Sequence, residues 1–468
     1  MSGFVFYDTE TTGIETSFDQ ILQFAAIRTD SDLKELDRFE IRCRILPHVT
    51  PSPVAMHITG VSAHQLTDSS IPSHYEMMCT IRNKLLEWSP AVFIGYNSIE
   101  FDENLLRFSF YKTLHPPYLT NTNGNARSDV MRMVQAAHLF SPGTISIPNG
   151  VNGKPSFKLD RLAPANGFAH TNAHDALADV EATIFMCNLI SESIPDIWSS
   201  FMRFSQKAAV LDYISSESIF CFADFYFGKP FSCIATHIGA NSKNSAEAYI
   251  YNLAIDPHIL AGLNQSELAA RLKSQPKPVR SMRSNACPII MPAEDAPEIA
   301  VGKNIPLEEL EKRAEFLATN EKLRKQIIEV LESEKIDYPP SIYVEKQLYE
   351  GFFTQQDQAL LEQFHSTEWD SRPSIVDMFE DIRLRKIGNH LIYIERPHLL
   401  TEPMRQEHDY AHKTRILTVD PEAPWLTMKK AKQELIELLG SCEEIDKQFY
   451  QEHLTFIEHK IQAASLIV

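Results

Sequence analysis

Cysteine is scarce and unpatterned in this 468-residue chain. The seven residues, Cys43, Cys79, Cys187, Cys221, Cys233, Cys287 and Cys442, make an odd total with no Cys-x-x-Cys. Neither a zinc site nor a disulfide framework is indicated, and a reducing cytoplasm is the compartment that fits. Long hydrophobic runs are missing as well. No stretch approaches the ~18 apolar residues of a membrane helix, and no basic segment precedes the first apolar strand, so neither secretion nor membrane insertion is expected. Internal repeats and low-complexity tracts are also lacking. Basic charge is short: 44 Lys and Arg face 62 Asp and Glu, for a formal charge of -18. That balance argues against a general polyanion binder and confines any nucleic-acid site to a local basic channel helped by bound metal.

What remains is an ordinary globular composition, 44% hydrophobic and 23% charged, long enough for about three domains of roughly 150 residues. The chain opens on Phe4-Val-Phe-Tyr-Asp8-Thr-Glu10-Thr-Thr-Gly13. The four apolar residues predict a buried strand, and alternate positions place Asp8 and Glu10 on one face at its end. Paired acids beside an apolar core repel each other and resist burial unless a cation sits between them. Oxygen ligands of this kind suit Mg²⁺ or Mn²⁺, and strand ends are where open α/β sheets carry their sites.

To about Pro195 the sequence alternates strand-like and helix-like segments. Gln23–Thr29 and Ala91–Tyr96 read as strands; Tyr75–Trp88, Asp102–Phe110 and Ala173–Ser191 carry helical spacing. The segment Ser141–Pro155 reads as a long surface loop. Short aromatic and β-branched runs follow at Ser218–Phe227, Cys233–His237 and Ala248–Leu253, predicting a small mostly-β unit. Asn304-Ile-Pro306 starts a helix, and from Gly351 onward the pattern is helical, with Leu435, Leu438, Leu439, Ile445, Phe449, Leu454, Ile457 and Ile461 marking core-facing stripes.

Three residues join the opening pair. Asp102 stands near a helix start after Gly95-Tyr-Asn97-Ser-Ile-Glu-Phe101, and His174 and Asp179 lie five apart at the start of another helix. Five steps at about 100° leave those two side chains offset, so both reach one cleft only if His174 precedes the first turn. Asp175 could compete with Asp179 as a ligand or act as a helix-dipole acid.

In this order the segments Asp8-Thr-Glu10, Asn97 to Asp102 and His174 to Asp179 resemble the three motifs of the DEDD exonuclease superfamily in its His-bearing branch. Phe24–Asp30, Ile58-Thr-Gly60, Pro155–Leu159, Ala165-Asn-Gly167 and Gln347–Phe353 extend the resemblance, over essentially the whole chain, to the bacterial exodeoxyribonuclease I family. The resemblance implies an α/β ribonuclease H-like exonuclease domain (1–195), an SH3-like mostly-β domain (196–348) and a C-terminal α-helical domain (351–468). It implies processive 3′ to 5′ degradation of single-stranded DNA to 5′-mononucleotides, in DNA repair and recombination.

In such a site Asp8, Glu10, Asp102 and Asp179 hold two Mg²⁺ ions about 4 Å apart, with Mn²⁺ as a substitute, while neutral His174 takes a proton from the attacking water. Glu10, Arg107, Tyr118, Arg132 and Lys158 stand where the family contacts DNA. Lys158 replaces the usual Arg and loses its bidentate fork, and Thr122 replaces an aromatic near Tyr118. The family also docks the acidic tail of single-stranded DNA-binding protein, for which Arg313, Arg324 and Lys325 are candidate receptors. A monomer in the bacterial cytoplasm, associated with the nucleoid, is expected. Two other readings stay open: a superfamily enzyme acting on RNA, and a non-catalytic binding protein built on the same fold.

Overall fold

The computed structural model describes residues 3–150, 153–169, 174–336 and 338–466. Its first sheet has the order β3-β2-β1-β4-β5, built from β1 Phe4–Thr11, β2 Ile21–Thr29, β3 Glu35–Arg42, β4 Val92–Gly95 and β5 Ala126–Asp129. β1, β2 and β3 pair antiparallel, whereas β4 and β5 run parallel to β1. This is the ribonuclease H-like sheet that the resemblance implied. Both of its faces are covered. Phe4, Phe6 and Ile94 join a core with Val180 and Met186 of the helix Ala176–Ser193, while Val5, Tyr7 and Phe93 pack on Met77 and Ile81 of His74–Trp88 and Leu106 of Asp102–Lys112. A strand buried on both sides needs no polar face, which is why its first four residues are all apolar.

The mostly-β unit is a five-stranded antiparallel sheet of order β10-β6-β7-β8-β9: β6 Phe220–Tyr226, β7 Lys229–Ala240, β8 Glu247–Asn252, β9 Val279–Arg283 and β10 Ile289–Pro292. Helices Leu307–Thr319 and Glu321–Ser333 pack on it through Leu310, Leu317 and Ile327. Its core is continuous with that of the first sheet: Ile234, Tyr249 and Leu310 belong to the same cluster as Phe4 and Val180.

The remaining chain is helical and returns to the N-terminal unit. Leu360, Phe364, Ile387 and Leu391 pack against Tyr75, Phe108 and Tyr111. The 3₁₀ turn Val344–Tyr349 joins this same cluster through Leu348. On the last helix, Glu444–Ser465, the His453 ring lies 3.0 Å from the Val61 carbonyl and Lys460 Nζ donates to Pro47 at 2.8 Å.

Candidate active site

Alternation along β1 carries Asp8 and Glu10 onto the face covered by the Ala176–Ser193 helix, where Asp179 occupies the first turn. Carboxylate oxygens of Asp8, Glu10 and Asp179 all lie within 4.8 Å of one another. Asp102 sits beside this triad at the start of its own helix, and its Oδ1 accepts a hydrogen bond from the Thr9 hydroxyl at 2.5 Å.

Their burial is costly. Glu10 is 8% and Asp102 5% exposed. Burial, then Asp102, Asp179 and Glu10, push the Asp8 carboxyl far above its ordinary range. Glu10 is pushed up to about 9 by burial, then by Asp179 and Asp102, and Arg42 opposes the rise least of the causes. Asp102 rises to about 7 through burial, against the pull of the Thr9 hydroxyl. Four acids in mutual repulsion, with only oxygen donors between them, form a site for hard divalent cations.

His174 precedes the helix and is exposed, with φ at 67° and its backbone N–H 3.4 Å from Asp179 Oδ1. That meets the condition set by the five-residue spacing. Asp175 is the N-cap: its carboxylate accepts from Ala178 N at 3.3 Å, Gln23 Nε2 at 3.1 Å and Arg42 at 2.9 Å. With these partners it is held as a cap, and Asp179 is the acid turned toward Asp8 and Glu10.

Several supporting residues carry no motif. Asp129, at the end of β5, is buried and accepts from Asn97 N at 3.0 Å, Ile99 N at 3.2 Å and Met131 N at 3.0 Å. It therefore fixes the turn that leads to Asp102. Gly95 is forced in that turn, because a Cβ there would meet the Ser98 Cβ at 2.5 Å and the Tyr7 carbonyl at 3.1 Å. Glu103, 1% exposed on its side chain, is held by Arg107 at 2.8 Å, Arg127 at 3.1 Å and the hydroxyls of Tyr7 and Thr120. A single acid at a strand end, or one after Asp102, reads as ordinary in sequence; only the amides gathered on Asp129 and the side chains gathered on Glu103 reveal their roles.

The expected DNA contacts lie on separate elements. The Arg107 guanidinium lies 5.3 Å over the Tyr118 ring while bonded to Glu103, so the two stand together as a cationic aromatic pair. Arg132 is tied to Asp224 of β6 at 2.5 Å, and Lys158 is exposed at the start of the helix Leu159–Ala165. Thr122 donates to the Tyr118 carbonyl at 2.7 Å. Of the candidate tail receptors, Arg313 is committed to Glu309 at 3.0 Å and the Leu253 carbonyl at 2.9 Å, and Lys325 is exposed and paired with Glu321. Arg324 donates to the Ala318 carbonyl at 3.3 Å.

Two family models match the chain: Exonuclease over residues 5–186 and Exonuclease I C-terminal domain over residues 343–459. In both parts the chain is similar to exonuclease I. Exodeoxyribonuclease I of Escherichia coli K12 is 27% identical over 419 residues, covering 82% of this chain and 84% of its own. The structure of E. coli exonuclease I in complex with a dA16 oligonucleotide superimposes at a TM-score of 0.82 with 25% identity over the whole of both chains. A solved complex described as SSB/Exonuclease I with an inhibitor gives 0.80 at 24% identity, again over both whole chains. The exonuclease model spans every motif acid, from Asp8 to Asp179, so the carboxylate cluster lies within the nuclease domain. With the carboxylate cluster inside an exonuclease domain, the chain is a nuclease dependent on divalent metal.

Proposed function

We propose that the chain removes nucleotides one at a time from the 3′ end of single-stranded DNA, processively, as 5′-mononucleotides. The observation that carries this reading is the convergence of Asp8, Glu10 and Asp179 within 4.8 Å, with Asp102 beside them. These four would hold two Mg²⁺ ions, with Mn²⁺ as a substitute. Bound there, the ions supply Lewis-acid polarisation of the phosphate and lower the pKa of the attacking water.

The protein's own groups do the rest. Thr9 and Asp129 hold Asp102 in place. His174, exposed ahead of the Asp179 helix, accepts the proton from water as it attacks phosphorus, and the bond to the 3′ oxygen breaks. Glu10 approaches the terminal nucleotide as well as an ion. Arg107 and Tyr118 offer a phosphate partner and a stacking face, Lys158 a point charge without a fork, and Arg132 a contact where the second unit adjoins the first. DNA rather than RNA is supported by the two added units, which single-domain ribonucleases of the superfamily lack. A role in repair and recombination, as a cytoplasmic, nucleoid-associated monomer, follows the family pattern.

The SSB/Exonuclease I complex supports recruitment by the acidic tail of single-stranded DNA-binding protein, for which Arg324 and Lys325 are the better-placed receptors. Arg313 is held by carbonyls and serves packing. Charge reversal at Arg324 and Lys325 should weaken tail binding in a fluorescence titration; unchanged affinity removes the assignment.

The test uses 5′-labelled single-stranded DNA and a matched RNA with Mg²⁺. A ladder that shortens progressively on DNA alone is expected; equal digestion of RNA, or none of DNA, overturns the reading. His174→Ala should lower turnover by about 10²–10⁴-fold while DNA binding persists, and near-normal turnover excludes it as the base.

A further inference from the structure

Apart from the carboxylates, three histidines converge where the N-terminal unit meets the C-terminal helices. His48 lies between β3 and the helix Pro53–Thr59, His390 on the helix Ile382–Glu395 and His412 on Glu402–Leu417. Their ring centroids form a triangle of 4.8 Å (His48–His390), 4.7 Å (His48–His412) and 5.1 Å (His390–His412). One nitrogen of each ring lies within 4.8 Å of one nitrogen of both others. His390 and His412 face each other through Nε2 atoms 2.9 Å apart. His48, 7% exposed, keeps a buried Nδ1 with no hydrogen-bond partner.

Three imidazoles bound at 2.0–2.1 Å to a tetrahedral zinc have ring centroids about 5.2 Å apart. The observed triangle is smaller by only a few tenths of an ångström. Without an ion, the buried His48 nitrogen has given up water and gained no partner in return. Burial keeps all three rings in the neutral form that ligates metal: His390 and His412 fall to about 3, and His48 falls well below its ordinary value. The nearby cations are engaged elsewhere. Arg415 pairs with Glu345 at 2.7 Å, and Lys112 Nζ donates to the carbonyls of Ser17 and Asp19 at 3.2 and 2.9 Å. A cavity lined also by Glu407 and His408 adjoins the triangle and leaves room for a fourth ligand.

A second group, Cys79, His115 and His365, lacks this convergence. Its two imidazoles stack face to face at 3.7 Å and 15°, and both nitrogens of His365 already contact Tyr75 and the Leu114 carbonyl.

We propose that His48, His390 and His412 form a metal site distinct from the carboxylate cluster, taking a zinc-class transition-metal cation with water in the fourth position and clamping the C-terminal helices to the N-terminal unit. All-nitrogen ligation selects against Mg²⁺, so the Mg²⁺ of the carboxylate site does not fill this one. The 342 positions from His48 to His390 explain why no spacing motif announces it.

The full chain carrying Asp8→Asn and Asp179→Asn, which disable the carboxylate site, is stripped with chelator and titrated with Zn²⁺ by equilibrium dialysis. One zinc per chain is expected, together with a zinc-dependent rise in unfolding temperature. Co²⁺ should give the strong visible absorption of a low-coordinate, nitrogen-ligated ion. Adding His390→Gln should weaken binding at least about 100-fold and remove the thermal shift. No zinc in the parent, undiminished affinity in His390→Gln, a pale octahedral cobalt spectrum or a cobalt–thiolate band from Cys79 each overturns the proposal. The cobalt spectrum decides even if the His390 variant fails to fold.

Discussion

Asp8 and Glu10 stand where carboxylates are tolerated poorly without a cation, and their titration couples that strain to stability. Each binds its proton more tightly folded than unfolded, so the folded state carries more protons between the ordinary carboxylate range and the raised values. The contribution of these two acids to stability in chelator is therefore present below about pH 4.5 and lost as pH rises toward about 9. Asp8→Asn removes one buried charge. We expect it to raise the unfolding temperature of the metal-free protein, with an advantage over wild type that grows from pH 5 to pH 9. The same change should lower hydrolysis by at least about 10³-fold, or about 4 kcal/mol of barrier. Calorimetry in chelator checks the first expectation; a flat difference across that range contradicts it. These motif acids were legible because two carboxylates beside an apolar strand are hard to explain otherwise. Thr9, Asp129 and Arg42 were not, since each is unremarkable in sequence and acquires its role only from a partner far along the chain.

At the scale of elements, the turn between β4 and the Asp102 helix depends on β5. Asp129 caps the helix Val130–Phe140 and receives the amides of Asn97 and Ile99, and Asn97 has φ at 59°. Asp129→Ala would strand these donors in a buried place. We expect a loss of about 2–4 kcal/mol of stability and a fall in turnover larger than any fall in DNA affinity, because Asp102 is displaced while the DNA-facing side chains stay. Turnover and binding measured side by side decide this, with Asp129→Asn expected to restore part of both. β5 itself was invisible to a search for apolar alternation: Ala126–Asp129 is fully buried yet mostly polar, its Arg127 neutralised by Glu103. β3 escaped for the opposite reason. Glu35–Arg42 is a partly exposed edge strand, whose charges guard it against pairing with other chains.

At the scale of the whole molecule, the face between the N-terminal unit and the C-terminal helices is rich in histidines kept neutral by burial. His48, His74, His115, His365, His390 and His412 all titrate below their ordinary value, with desolvation the leading cause in each. The unfolded chain gains these protons first, so their contribution is present above about pH 6.5 and drains as pH falls toward about 3 to 4. Amide exchange in the helix Ile382–Glu395, corrected for its intrinsic pH dependence, should therefore quicken from pH 7 to pH 5. Unchanged protection would remove histidine as the source of acid sensitivity. The three-part plan of the chain was readable from shifts in residue pattern. The continuity of one core through both sheets was not, because a shared core leaves no mark on local spacing.

The contact between His453 and Val61 closes a separation of 392 residues. At ordinary rates of synthesis, roughly 20–80 s pass between the making of those two residues. Throughout that interval the surface around Val61, including Ile45, Val49 and Met56, must wait without the helix that covers it. The nuclease unit is thus born with an open flank, and a helix made 392 residues later is the one that seals it.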